Sequence, residues 1–97
     1  MIIKRHTNNG RLILAVCDSE LLGKVFEEGN RILDLSSEFY KGKETPDEEF
    51  REYLKKFYIL NAVGKKTIGI LTESGLVEEK EVMHINGIPY VQVLFEG

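Results

Sequence analysis

Asn61-Ala62-Val63-Gly64-Lys65-Lys66-Thr67 is the stretch on which the reading of this chain turns. Upstream of it lies a long amphipathic segment, and downstream a shorter one. Thr45-Pro46-Asp47-Glu48 opens the upstream segment: Thr is a good N-cap, Pro suits the first helical position, and Glu48 is placed to close a capping box. Phe50, Tyr53, Leu54, Phe57 and Tyr58 then recur at i, i+3, i+4, i+7 and i+8. That spacing predicts one helix running to about Leu60 or Asn61. Gly64 breaks it, and Thr67, Ile68 and Leu71 share the face of a second helix ending near Ser74-Gly75.

Working outward, both ends of the chain read as β-hairpins. Asn9-Gly10 and Asn86-Gly87 are strong two-residue turn signals, because a type I′ turn needs positive φ at both central residues. The first turn joins Ile2–His6 to the apolar run Leu12–Cys17, read as a strand covered on both faces. The second joins Glu81–Ile85 to Ile88–Phe95, with Pro89 tolerable on an edge strand. Asp18 or Ser19 is expected to cap a short helix with Leu21, Leu22, Val25 and Phe26 on one face, ended by Gly29-Asn30. Ile32, Leu33 and Leu35 follow as an extended piece, and Ser36–Glu44 as a loop anchored by Phe39 and Tyr40. The expected fold is α+β: a single domain over 1–97, with N- and C-terminal hairpins in a largely antiparallel sheet packed by about three helices.

Composition narrows the function classes. Hydrophobic residues make up 42% and charged residues 30%, as in a globular, cytosolic-type protein. No apolar run approaches the length of a membrane span, so no membrane association is expected. The single cysteine, Cys17, excludes an intramolecular disulfide and a Cys-built zinc site, and it suits a reducing cytoplasm. The net charge of −3 argues against non-specific coating of nucleic acid, though not against a local basic patch.

Four segments, Cys17–Lys24, Glu38–Gly42, Asn61–Gly64 and Asn86–Pro89, together resemble a family of archaeal proteins known as domain of unknown function 424. The resemblance covers nearly the whole chain. It implies an archaeal, cytoplasmic, single-domain protein; it supplies no activity, and an RNA or translation role by association only. The family pattern has a His after the proline where this chain has Tyr90, so a metal or acid–base role for that His is not carried over.

The candidate site is the Gly64 turn. Free N–H groups at a helix start, with Lys65 and Lys66 beside them, would favour a phosphate or carboxylate. It is not a Walker loop, since Ile59 stands where the first glycine belongs, and Thr67 rules out a GXXG clamp. The plainer reading is a helix–helix turn with solvated lysines, and Asn61 as a residue ending the first helix. Lys55 and Lys56 extend the basic cluster. Aromatics interleaved with cations hold single-stranded RNA; Tyr53 and Tyr58 face the core by spacing, which leaves Tyr40 and Tyr90 as the freer candidates. The partner expected is RNA or a ribonucleoprotein. The alternative is a protein partner or homodimer on the edge of the C-terminal hairpin. A small enzyme using Cys17 and Asp18 lacks an accompanying base, and His6 and His84 read as packed residues rather than metal ligands. No catalytic residue, metal or cofactor is assigned.

Overall fold

The computed structural model describes residues 1–95. Among these residues there are eight strands and two α-helices: β1 (Ile2–Asn8), β2 (Arg11–Cys17), β3 (Val25–Glu28), β4 (Arg31–Asp34), β5 (Lys43–Glu44), α1 (Asp47–Tyr53), β6 (Ile59–Val63), α2 (Lys65–Glu73), β7 (Met83–Ile85) and β8 (Ile88–Leu94). Six strands form one sheet in the order β5-β1-β2-β6-β8-β7, and β3 and β4 form a separate hairpin. Every pairing in the main sheet is antiparallel except β2 with β6.

Both Asn-Gly turns form as expected. Asn9 and Gly10 have φ of 53° and 75°, and Asn86 and Gly87 have 49° and 77°, which is the type I′ pattern. Alternation along the strands sorts the side chains into two faces. Leu14, Val16, Leu60, Ala62 and Val91 face the main core, which α1 and α2 cover with Phe50, Ile68 and Leu71. Ile2, Cys17 and Val63 face the other way, against Leu21 and Leu35, with Phe26, Leu33, Tyr40 and Tyr90 around them. The C-terminal ends of β2 and β6 are thus buried on both sides.

Three expectations are corrected. The first helix does not run to Leu60 or Asn61. It ends at Tyr53, and residues 59–63 form the central strand β6. Leu54 and Phe57 still enter the core, but two i→i+3 turns tighten the chain after Glu52 and release it into extended structure. Asn61 is therefore mid-strand, and Tyr58 is 39% exposed rather than core-facing. The helix expected after Asp18 is only a 3₁₀ turn, Ser19–Leu21, followed by the β3–β4 hairpin. Gly23 has φ of 88°, which ends helical propagation, and Gly29 takes positive φ at the first turn position, as a type II′ hairpin needs. Two α-helices remain, not about three.

Two smaller points differ. Thr45 makes no helix cap; its Oγ1 donates to the Lys43 carbonyl at 2.9 Å, and Pro46 precedes the first helical residue. Pro89 is not on an edge, because β8 lies between β6 and β7. Its missing N–H costs little there. The Gly64 carbonyl it would have met already accepts from the Ile68 N–H of α2 at 2.9 Å.

Candidate functional site

The parallel pairing of β2 and β6 brings their C-terminal ends together. The Asp18 N–H donates to the Val63 carbonyl at 3.1 Å, so Asp18 leaves β2 just where Gly64 leaves β6. The anion at the start of α2 is therefore the chain's own carboxylate. Asp18 is 3% exposed. It accepts from the Lys66 N–H at 3.0 Å, the Thr67 N–H at 2.8 Å and Thr67 Oγ1 at 2.8 Å. Gly64 has φ of 111°, and a Cβ on it would overlap the Asp18 carboxyl group. Helix donors and dipole hold a negative group here. The occupant is internal.

The sequence-derived site residues separate into four places. Gly64, Lys65 and Lys66 surround the helix start, where the exposed Lys66 ammonium pairs with Asp47 at 3.2 Å. Lys65 borders a groove of about 380 Å³ with Thr72, Glu79 and His84. Lys55 and Lys56 lie before β6 rather than after it, a strand of roughly 16 Å away at ~3.3 Å per residue, and Lys55 pairs with Glu52 at 3.1 Å. The four lysines do not converge. Asn61 faces the side of the sheet away from the helices, where its Oδ1 accepts from Gln92 Nε2 at 3.0 Å. Tyr40 and Tyr90 pack around the second apolar cluster. Burial pushes the Tyr40 phenol up to about 12, and the Tyr90 hydroxyl accepts from Arg31 at 3.2 Å.

Cys17 does not offer a nucleophile. It is fully buried, and burial followed by the neighbouring Asp18 charge pushes its thiol up to about 11. A nucleophilic cysteine needs the opposite shift. His6 stacks on Phe39 at 4.5 Å, as a packed residue, whereas the His84 side chain is exposed. Among the described residues no group of three or more His, Cys, Asp and Glu side chains could hold a metal ion. Among the same residues no helix is long and apolar enough to cross a membrane.

Cations and aromatics do meet, elsewhere. A cleft of about 650 Å³ opens between the β1–β2 turn and the segment after α1, lined by Arg11, Tyr53, Lys56, Phe57, Tyr58 and Phe95 among others. The Arg11 guanidinium lies 4.5 Å from the centre of the Tyr58 ring, and Phe95 meets Phe57 edge-on at 5.5 Å. An adjoining groove of about 440 Å³ shares Tyr53, over which Arg5 sits at 5.7 Å, and adds Lys4, Lys41 and Lys43. Six cations (Lys4, Arg5, Arg11, Lys41, Lys43, Lys56) and three acids (Glu44, Glu49, Glu52) line the two, so this surface is locally positive on a chain of net charge −3. Of the residues singled out from sequence, Lys56 lines it. Arg5 and Arg11 were missed because only long-range contacts place them: Arg5 lies over Tyr53 from β1, and the β2–β6 pairing, with the Tyr58 N–H donating to the Leu12 carbonyl at 2.7 Å, brings Arg11 beside Tyr58.

Comparison with known proteins gives a family and a fold. The family model described as "Protein of unknown function (DUF424)" matches residues 6–95. The chain is similar to the crystal structure of an uncharacterized conserved protein from Methanopyrus kandleri, at 29% identity and a TM-score of 0.77, over 99% of this chain and 93% of that one. No curated protein matches the chain.

Proposed function

The chain belongs to the family whose model spans residues 6–95, and we propose that it is a non-catalytic binding module for a phosphate-bearing partner, RNA alone or within a ribonucleoprotein. The observation that carries this reading is the Arg11–Tyr58 pair at 4.5 Å, at the mouth of an aromatic cleft flanked by Lys56. A guanidinium held over a ring can present its N–H fork to a phosphate while the face turned away from the ring stays available to a base. Tyr58 and Phe95, 39% and 40% exposed, add π-faces on which bases can stack. The cations of the adjoining groove would follow the phosphate backbone. The Gly64 turn supports this placement by subtraction, since Asp18 already uses two of its donors. Such a module would work in an archaeal cytoplasm, where RNA is present and a lone thiol stays reduced.

The test is binding of a labelled single-stranded RNA oligonucleotide, followed by fluorescence anisotropy from about 50 to about 200 mM salt. Wild type should bind at low salt and weaken steeply as salt rises. Arg11→Glu/Lys56→Glu should abolish binding, while Lys65→Glu/Lys66→Glu should retain most of it. Absence of binding by wild type at low salt would overturn the proposal. Binding lost only in the Lys65/Lys66 variant would move the site back to the start of α2.

A further inference from the structure

The main sheet ends in edges that are treated differently. Beyond Ile3, the outer side of β1 has no strand beside it among the described residues, but the charged Lys4 and Arg5 stand there. Charge of that kind discourages strand pairing. The outer side of β7 is three residues long, and its His84 carbonyl accepts from Arg31 Nη2 at 2.8 Å. The third open edge is on β8. β7 pairs only with residues 88–90, so the outer side of the strand from Val91 onward has no partner strand among the described residues.

The ladder to β6 shows which peptide groups face that edge. The Gly64 N–H donates to the Pro89 carbonyl and the Phe95 N–H to the Tyr58 carbonyl. In an antiparallel ladder, alternate residues bond to the same neighbour. Residues 89, 91, 93 and 95 therefore point their peptide groups at β6, and Gln92 and Leu94 point theirs outward. Among the described residues no charged side chain stands on β8 beyond Tyr90. Val91-Gln92-Val93-Leu94-Phe95 carries no charge. Leu94 is 60% exposed and continues a row with Ile59 and Ile13 across the sheet face.

We infer that the outer edge of β8 docks a second copy of this chain, antiparallel, about a two-fold axis at Val93. That axis sets Gln92 of one copy opposite Leu94 of the other, and the reverse. Each of the two pairs exchanges both of its backbone hydrogen bonds, and the surface is self-complementary as a two-fold dimer requires. Charge selects the same occupant. Two copies of net charge −3 repel, and an uncharged strand lets them meet with the least penalty, whereas a strongly charged partner finds no complement here. Because β7 stops at Met83, pairing is confined to residues 91–95, and the dimer is a weak, concentration-dependent one.

Sedimentation velocity over a wide concentration range tests this, with amide exchange read at single residues. Wild type should shift from monomer to dimer, and the amides of Gln92 and Leu94 should gain protection as concentration rises while those of Arg5 and Thr7 do not. Gln92→Pro removes one outward N–H and no bond to β6, and Leu94→Lys adds charge to the edge. Each should raise the dissociation constant by at least about tenfold, equivalent to 1.4 kcal/mol, with an unchanged circular dichroism spectrum. A wild type that stays monomeric throughout, or a dimer that survives both substitutions, would overturn the inference. Should Gln92→Pro fail to fold, Leu94→Lys decides alone.

Discussion

Asp18 accepts two hydrogen bonds from Thr67, one from its backbone N–H and one from its hydroxyl, both at 2.8 Å. The two residues are 49 positions apart and both are buried. This contact ties the end of β2 to the start of α2 and replaces the exogenous anion that the sequence around Gly64 invites. Removing the carboxylate strands the Thr67 hydroxyl and two helix N–H groups. Asp18→Ala should cost about 2 to 4 kcal/mol, and Thr67→Val about 1 kcal/mol. Gly64→Ala combines a strained φ with overlap on Asp18 and should cost about 2 kcal/mol or more. Urea unfolding measures all three. A loss under about 1 kcal/mol in Asp18→Ala would show that this cap does not hold α2 in place.

Cys17 should behave as a buried thiol. In the native protein a thiol reagent should modify it only through opening of the structure, so the reaction rate should rise with urea. Its pH signature follows from the raised pKa. The thiol ionises near 9.0 when unfolded but near about 11 when folded, so its contribution is fully present below pH 9 and is lost as pH rises toward 11. Tyr40, pushed up to about 12, acts in the same direction at slightly higher pH. Stability measured from pH 8 upward should therefore fall, and Cys17→Ala should flatten the fall whatever it does to stability at neutral pH. An identical slope in wild type and variant would contradict the burial assigned to this thiol.

Gly42 is a close-packing glycine rather than a turn glycine. A Cβ there would overlap the Ile3 carbonyl oxygen, where the chain crosses the edge of β1 to enter β5. Backbone cannot yield as a flexible side chain can. Gly42→Ala should cost about 1 to 3 kcal/mol by thermal unfolding and raise amide exchange at Lys43 and Glu44, with β8 unaffected. Unchanged exchange in β5 would mean that the loop has room to shift.

The sequence was legible wherever the signal was local. Asn9-Gly10 and Asn86-Gly87 specify their turns through positive φ, and Thr67, Ile68 and Leu71 mark the buried face of α2 as expected. Leu54 and Phe57 were rightly placed in the core, yet their spacing extended the helix too far. An apolar residue leading out of a helix toward a central strand satisfies the helical period for another turn. β4 falls where Ile32 and Leu33 mark an extended piece, but β3 was missed because Leu21, Leu22, Val25 and Phe26 also fit one helical face. Their β-character shows only through the partner strand, which pairs Phe26 with Leu33. The same holds for the site. Asp18 and Lys66 are 48 residues apart, and only the parallel β2–β6 pairing, a long-range contact with no local marker, brings the carboxylate to the helix. Lys55 and Lys56 looked contiguous with Lys65 and Lys66 until a strand was placed between them.

Arg31 latches the β3–β4 hairpin to the end of the main sheet. Its guanidinium donates to the Tyr90 hydroxyl, to Glu28 and to the His84 carbonyl, while Glu28 also accepts from the Asn86 N–H. Beneath this latch the hairpin covers the apolar cluster of Cys17, Leu35 and Val63. The bond from the Asn86 N–H, with Arg31 second, holds the Glu28 carboxyl below its ordinary 4.5. That lowered pKa means its contribution is present above pH 4.5 and lost as pH falls below it. Protection of the amides across residues 25–34, relative to their intrinsic exchange rates, should therefore fall in mild acid before that of β2. Arg31→Ala should produce the same local opening at neutral pH, roughly tenfold faster exchange in the hairpin, with little change in β2 or β6. Uniform acceleration across the whole chain would instead mean that the hairpin and sheet open as a single cooperative unit.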